Sequence, residues 1–252
     1  VIDHLSYSSI SMFLDCPESW RRKYVAKEPT ASSPALVFGS AFHSAVEEEL
    51  VTGQPAVENW VTAWPKALER DQVDWGFDTP EVHFNDGIRL LSNEGVAAAI
   101  AGLHARKDET GPMVERKVTL SVPGVPVPVI GYIDFIAADG VPCDLKTSAR
   151  SWTADKASDS LQGLFYLAAL NQAGMNFHGW KFRHVVFVKT KEPKVQVMET
   201  LHRPGELLFL FKVVRSVWTG IDAGVFPLNP ASWKCGPVYC DFWQKCRGRY
   251  SA

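Results

Sequence analysis

The chain has 252 residues, 46% of them hydrophobic and 21% charged, and a net charge of −2; this balance excludes a disordered polymer and a uniformly basic nucleic-acid coat. The length is enough for one substantial core in a single domain spanning residues 1–252. No apolar run reaches transmembrane length, because the best candidate, 207–218, is broken by Lys212 and Arg215. No signal-peptide pattern is visible, so a reducing cytoplasm is expected.

In chain order, residues 8–24 and 39–52 read as helices separated by the Pro/Ala/Ser-rich connection 28–35. Phe42, Val46 and Leu50 recur at helical spacing in the second, and Glu47 follows His43 by one turn. A lone histidine on such a helix is ordinarily structural. Glu47 can either back it as an acceptor or belong to the solvated face of Glu47, Glu48 and Glu49. Residues 53–112 carry further helical material rich in tryptophan, interrupted by Pro65, Gly76 and Pro80, and are expected to form a helical insertion.

Strands dominate from 114 to 146. Glu115 opens the first and reads as a surface or auxiliary acid beside Arg116 and Lys117. Residues 127–137 are β-branched and aromatic, Asp139-Gly140 supplies turn chemistry, and 141–146 resumes an extended pattern. This places Gly131-Tyr132-Ile133-Asp134 and Asp144-Leu145-Lys146 on neighbouring strands. Alternation puts Asp144 and Lys146 on one face and leaves the Leu145 carbonyl available as an oxygen ligand. Two carboxylates, a carbonyl and a lysine suit hard Mg²⁺ or Mn²⁺ held against a phosphodiester, although a plain hairpin with solvated charges has the same spacing.

A helix over 158–173 follows, with Gln162 and Tyr166 on one face, suited to nucleic-acid contact or to packing. Strands at 182–189 and 194–201 and a helix at 206–220 lead to a cysteine-bearing tail. Strands, helix, strands, helix predict an α/β fold with a mixed central sheet flanked by helices. Of the five cysteines, Cys143 reads as a buried apolar residue. Cys16, Cys235, Cys240 and Cys246 fit an iron–sulfur cluster, a Cys₄ zinc site, disulfides or free thiols alike. Lys245, Arg247 and Arg249 lie close to Trp233, Phe242 and Trp243, where cations and aromatic rings could guide a single strand. No P-loop sequence is present, so the chain carries no such ATP-driven motor.

Gly131-Tyr-Ile-Asp134 with Asp144-Leu-Lys146 resembles the core motif of the PD-(D/E)xK nuclease superfamily. The order of the remaining motifs resembles its RecB-like, iron–sulfur branch, as found in CRISPR-adaptation and AddB-type nuclease domains. Gly39-Ser-Ala-Phe-His43 is similar to that branch's Gly-x-x-x-His helix, Gln162-Gly-Leu-Phe-Tyr166 to its Gln-x-x-x-Tyr helix, and Ser6-Tyr7-Ser8 through Cys16-Pro17 to its N-terminal segment. The gap between Cys235 and Cys240 departs from the commonest form.

The resemblance implies a restriction-endonuclease-like catalytic core over 114–201, with Asp134, Asp144 and Lys146 catalytic. It implies Mg²⁺ or Mn²⁺ on His43, Asp134, Asp144 and Leu145, DNA contact by Gln162 and Tyr166, and Glu115 and Glu47 as auxiliary acids. A [4Fe-4S] cluster on Cys16, Cys235, Cys240 and Cys246 would clamp residue 16 to the segment 235–246. The expected activity is a bacterial or phage DNA exonuclease acting on single-stranded or free ends in recombination, repair or DNA processing, with or without endonuclease action. The alternative is a non-catalytic end-binding subunit with protein partners. No membrane association is expected.

Overall fold

A computed structural model describes residues 2–70, 72–175 and 177–250. The elements run β1 (Leu5–Ser6), α1 (Tyr7–Asp15), α2 (Pro17–Trp20), a π-helical turn (Arg21–Val25), α3 (Pro34–Thr52), α4 (Ala56–Arg70), α5 (Pro80–Leu91), α6 (Glu94–Ala101), β2 (Lys107–Asp108), β3 (Gly111–Pro112), β4 (Val114–Leu120) and β5 (Val129–Ile136). They continue with β6 (Pro142–Ser148), α7 (Ala154–Ser158), α8 (Leu161–Gln172), β7 (Lys181–Val188), β8 (Lys194–Leu201), α9 (Glu206–Asp222) and a short 3₁₀ turn (Arg247–Tyr250). The chain forms two compact units, one of residues 32–118 and 132–204, the other of residues 1–31, 119–131 and 205–252.

In the larger unit β5 and β6 are antiparallel, β6 and β7 parallel, and β7 and β8 antiparallel, giving the expected mixed sheet. The parallel pair requires a crossover, which α7 and α8 supply. Alternation along β6 and β7 sends Cys143, Leu145, Val185 and Phe187 into one core with Phe38, Phe42 and Val46 of α3 and Trp60 and Trp64 of α4. On the opposite face α8 approaches closely: a Cβ at Gly163 would fall 2.7 Å from the Phe182 ring. The β5–β6 turn is fixed by Gly140, whose φ of 83° suits glycine. It is fixed also by Arg183 of β7, which donates to Asp139 at 2.7 Å and to Glu199 of β8.

Within residues 53–112, α4, α5 and α6 are followed by the two-stranded β2–β3 ribbon. Pro65 does not interrupt this region as expected but lies inside α4. The lost main-chain bond is outweighed there by burial of Trp60, Trp64 and Ala67 along one face. Pro80 instead starts α5 at the first helical position, after the Thr79 cap. Trp60 is completely buried and donates its indole N–H to the Phe84 carbonyl at 3.1 Å.

In the smaller unit β1 pairs parallel with the start of β5, Leu5 opposite Val129. Trp20, Phe13 and Phe226 form an aromatic cluster, with Trp20 and Phe226 stacked at 5.9 Å. The single helix expected over 8–24 is broken at Cys16, whose extended backbone (φ −162°) precedes Pro17. The proline ring disfavours helical geometry in the residue before it, which explains the break.

Candidate active site

The acids come first. Phe135 stands opposite Cys143 across β5 and β6, so the next step along the two strands brings Asp134 and Asp144 side by side. Both are buried, at 7% and 2% exposure. Asp134 Oδ2 accepts the Leu145 main-chain N–H at 2.6 Å, which locks the first carboxylate to the strand that carries the second. Asp144 is gripped by the Lys146 ammonium, 2.7 Å from Oδ1 and 2.6 Å from Oδ2, and by the Gln162 amide, which donates to Oδ1 at 2.7 Å. Lys146 remains 30% exposed along its side chain and reaches solvent from the same strand face.

Helix α3 delivers the histidine. Ser33 caps it, Pro34 occupies its first turn, and Phe38, Phe42 and Val46 anchor its apolar stripe, which turns His43 and Glu47 toward the acids. His43 Nδ1 lies 3.4 Å from Asp134 Oδ2. One ligand atom each from His43, Glu47 and Asp134 falls within 4.8 Å of the others, the one such group of three or more among the described residues. Glu47, expected only as an auxiliary acid, therefore stands beside His43 and Asp134. Glu115, whose carboxylate acts on Glu47, holds an unusual backbone conformation, φ 50°, near the start of β4.

The electrostatics match a site waiting for positive charge. Burial, then the Glu115 and Asp134 carboxylates, push Glu47 up to about 9. Burial and Asp144 raise Asp134 well above the usual carboxylate range. Burial, helped by Lys146, lowers His43 to about 4, so its imidazole is neutral and able to act as a ligand. Glu47 Oε1 is buried without a hydrogen-bond partner. Such an oxygen is costly unless a cation or proton meets it. Hard carboxylate oxygens with one neutral imidazole suit a divalent cation of the Mg²⁺ or Mn²⁺ kind.

Helix α8 supports the constellation from its other side. Gln162 reaches Tyr166 Oη at 3.3 Å as well as Asp144, and Tyr166 donates to the Tyr132 carbonyl of β5 at 2.6 Å. Tyr166 is only 6% exposed and its ring packs against Phe165 and Phe182, so it has no open face on which a base could stack. The pair thus connects Asp144 to the backbone of the Asp134 strand.

Sequence reading passed over His184, which pairs with Asp144 in the β6–β7 register and is 1% exposed. Neither ring nitrogen has a hydrogen-bond partner, and the ring lies between Phe182 and Trp152. Its one sequence signal is a polar residue directly before the apolar run 185–188 of β7.

The cysteines separate into two environments. Cys143 is buried on the core face of β6, and burial pushes its thiol up to about 12. Cys16, Cys235, Cys240 and Cys246 are all unpaired thiols, and they do not gather at single-ion spacing among the described residues. Their segments nonetheless meet in the smaller unit. Asn229 donates to the Asp15 carbonyl at 2.9 Å, and Lys234 pairs with the Asp15 carboxylate. Burial, then Cys16, Asp241 and Cys235, raise the Cys240 thiol.

No helix of the described residues is long and apolar enough to cross a membrane. No curated protein matches the chain. Among solved structures the chain is similar to one described as a "Putative exonuclease" from Eubacterium rectale, at 15% identity and a TM-score of 0.64, covering 98% of this chain and 88% of that one. At that identity the likeness concerns the fold. The model of the PD-(D/E)XK nuclease superfamily matches residues 4–247. Two adjacent strand acids, a strand lysine and a helix histidine, within a match that spans almost the whole sequence, place this chain in the PD-(D/E)XK nuclease superfamily.

Proposed function

We propose that the protein is a divalent-metal-dependent DNA exonuclease that hydrolyses phosphodiester bonds at free, single-stranded ends. The observation that carries this reading is the convergence of His43, Glu47 and Asp134 at metal-ligand spacing, with Asp144 paired beside Asp134 on the next strand and held by Lys146. His43, Asp134, Asp144 and the Leu145 carbonyl would hold Mg²⁺ or Mn²⁺, with Glu47 as a further ligand and Glu115 supporting Glu47. Bound there, the ion supplies Lewis-acid polarisation of the phosphate and a water of lowered pKa.

The chain's own groups perform the remaining work. Lys146, on the strand that carries Asp144 and partly open to solvent, would present its ammonium to the attacking water and to charge developing on the phosphate. Gln162 keeps Asp144 in its rotamer, and Tyr166 ties that amide to the β5 backbone. In this role the two residues position the acid, and any contact of Gln162 with DNA is secondary. The neutral imidazole of His43 needs no proton loss before it can bind metal.

Cys16, Cys235, Cys240 and Cys246 would hold a [4Fe-4S] cluster in the manner of the RecB-like branch. What supports this is the meeting of the Cys16 and Cys235 segments through Asp15, together with four unpaired thiols. The role would be structural, fastening the chain ends. Recombination, repair or DNA processing is the setting that suits such an enzyme.

The test is a Mn²⁺ or Mg²⁺ time course on end-labelled single-stranded and duplex DNA with free or blocked ends, wild type against Asp144→Asn. Metal-dependent loss from free ends, abolished in the variant, is expected. DNA that is bound but never cut by metal-loaded wild type would replace the enzyme with an end-binding subunit.

A further inference from the structure

The tail 229–250 of the smaller unit displays large apolar side chains where burial would be usual. Trp233 is 69% exposed, Val238 80%, Tyr239 62% and Tyr250 75%. The rings of Trp233 and Tyr239 meet edge to face at 5.1 Å, so each limits the motion of the other. Cations are interleaved with these rings. Lys234 Nζ lies 5.5 Å from the Trp233 centroid, the Arg247 guanidinium 5.6 Å from that of Trp243, and the Arg249 guanidinium 4.5 Å from that of Tyr250. Arg247 also reaches Cys235 Sγ at 3.9 Å, so the turn carrying Trp233 and the turn carrying Trp243 belong to one surface. Within 229–250 the sequence has four cations, Lys234, Lys245, Arg247 and Arg249, and one acid, Asp241, although the chain as a whole is net negative; Lys234 pairs with Asp15 and Lys245 with Glu28, both outside the segment.

We propose that this face is a stacking platform for a single-stranded DNA segment, with Trp233 and Tyr239 receiving unpaired bases and Arg247 and Arg249 meeting the phosphates. Exposed aromatic rings interleaved with guanidinium groups are the combination that binds single strands without sequence preference. A duplex hides its base faces, and an apolar protein partner has no use for the cations. The proposal rests on the reading of the chain as a DNA hydrolase, and supplies its preference for single strands with a physical origin outside the metal site.

The experiment measures binding by fluorescence anisotropy in the full-length Asp144→Asn background, so that no probe is cut. The probes are labelled oligothymidylate and a hairpin duplex of equal nucleotide count. Oligothymidylate is expected to bind at least tenfold more tightly than the hairpin. The pair Trp233→Ala with Tyr239→Ala should then lose about thirtyfold or more toward oligothymidylate, while Trp233→Phe keeps most of the affinity. Arg249→Gln should flatten the salt dependence by about one phosphate contact.

Melting temperature and far-UV dichroism check that each variant is folded. Unchanged oligothymidylate affinity in a folded double-alanine variant overturns the platform. So does an equal loss toward hairpin and single strand, or an effect of the variants on self-association in place of DNA binding. Metal-dependent cleavage by the wild type, with Trp233 and Tyr239 irrelevant to binding, refutes the platform and leaves the nuclease. Platform binding alongside a wild type that never cleaves does the reverse.

Discussion

Glu47→Gln should make the metal-free protein more stable and its metal-bound form relatively weaker. Folded Glu47 has its pKa raised to about 9 from an ordinary 4.5 by burial and by the Glu115 and Asp134 carboxylates. Between those two values the native state holds a proton that the unfolded chain has released, so this group's contribution falls as pH rises through the window. At pH 8 the ceiling on that loss is about 5 kcal/mol. The repulsion is shared with Glu115 and Asp134 and the side chain is not wholly buried, so a gain of about 1–3 kcal/mol on neutralising Glu47 is the reasonable expectation.

For a chain of this size such a gain raises the melting temperature by roughly 3–10 °C. The assay is differential scanning calorimetry of wild type and Glu47→Gln in chelator, at pH 8 and at pH 5, repeated with Mn²⁺. At pH 5, only just above the ordinary 4.5, little of the loss has accumulated, so the advantage of the variant should shrink to under about 1 kcal/mol. With Mn²⁺ the wild type should gain more than the variant, because an anionic ligand has been lost. A variant no more stable than wild type at pH 8, or equally favoured at both pH values, would refute the account of Glu47 as a charge held for a cation.

Other outcomes follow from the same geometry. Gly87→Ala should destabilise the protein by about 2 kcal/mol or more, because its Cβ would fall 2.1 Å from the buried Trp60 ring; chemical denaturation measures the loss, and an unchanged midpoint would mean that α4 and α5 separate freely. Gln162→Ala should lower kcat by about tenfold with little change in KM, since it removes a bond to Asp144 and leaves the ligands in place; a rise in KM alone would assign the amide to DNA. Cys240→Ser should reduce iron content and melting temperature together, read by visible absorbance and calorimetry, and loss of neither would defeat the cluster proposal.

Much of the site was legible because it is local. The residues around Asp134 and Asp144 announce two strands and a turn, and pairing across them follows from the pleat. Position four from His43 selects Glu47 among three consecutive glutamates, but sequence alone does not distinguish a ligand from a solvated neighbour on the same turn. That distinction came from the Asp134 strand lying across α3. Glu115 was legible only as a surface or auxiliary acid, since its positive φ and its nearness to Glu47 depend on tertiary placement. His184 was hidden for the same reason: only the parallel β6–β7 register sets it beside Asp144. The break at Cys16, by contrast, was signalled by the proline after it.

Arg183 fastens the β5–β6 turn to β7 and β8 through Asp139 and Glu199, and so makes the hairpin tip a tied corner rather than a loose end. Hairpin tips are ordinarily the places where a chain accepts an inserted tag or new termini. Here an insertion between Asp139 and Gly140 would slacken the tie that closes the hairpin carrying Asp134 and Asp144, so a label intended to leave hydrolysis intact belongs at another loop.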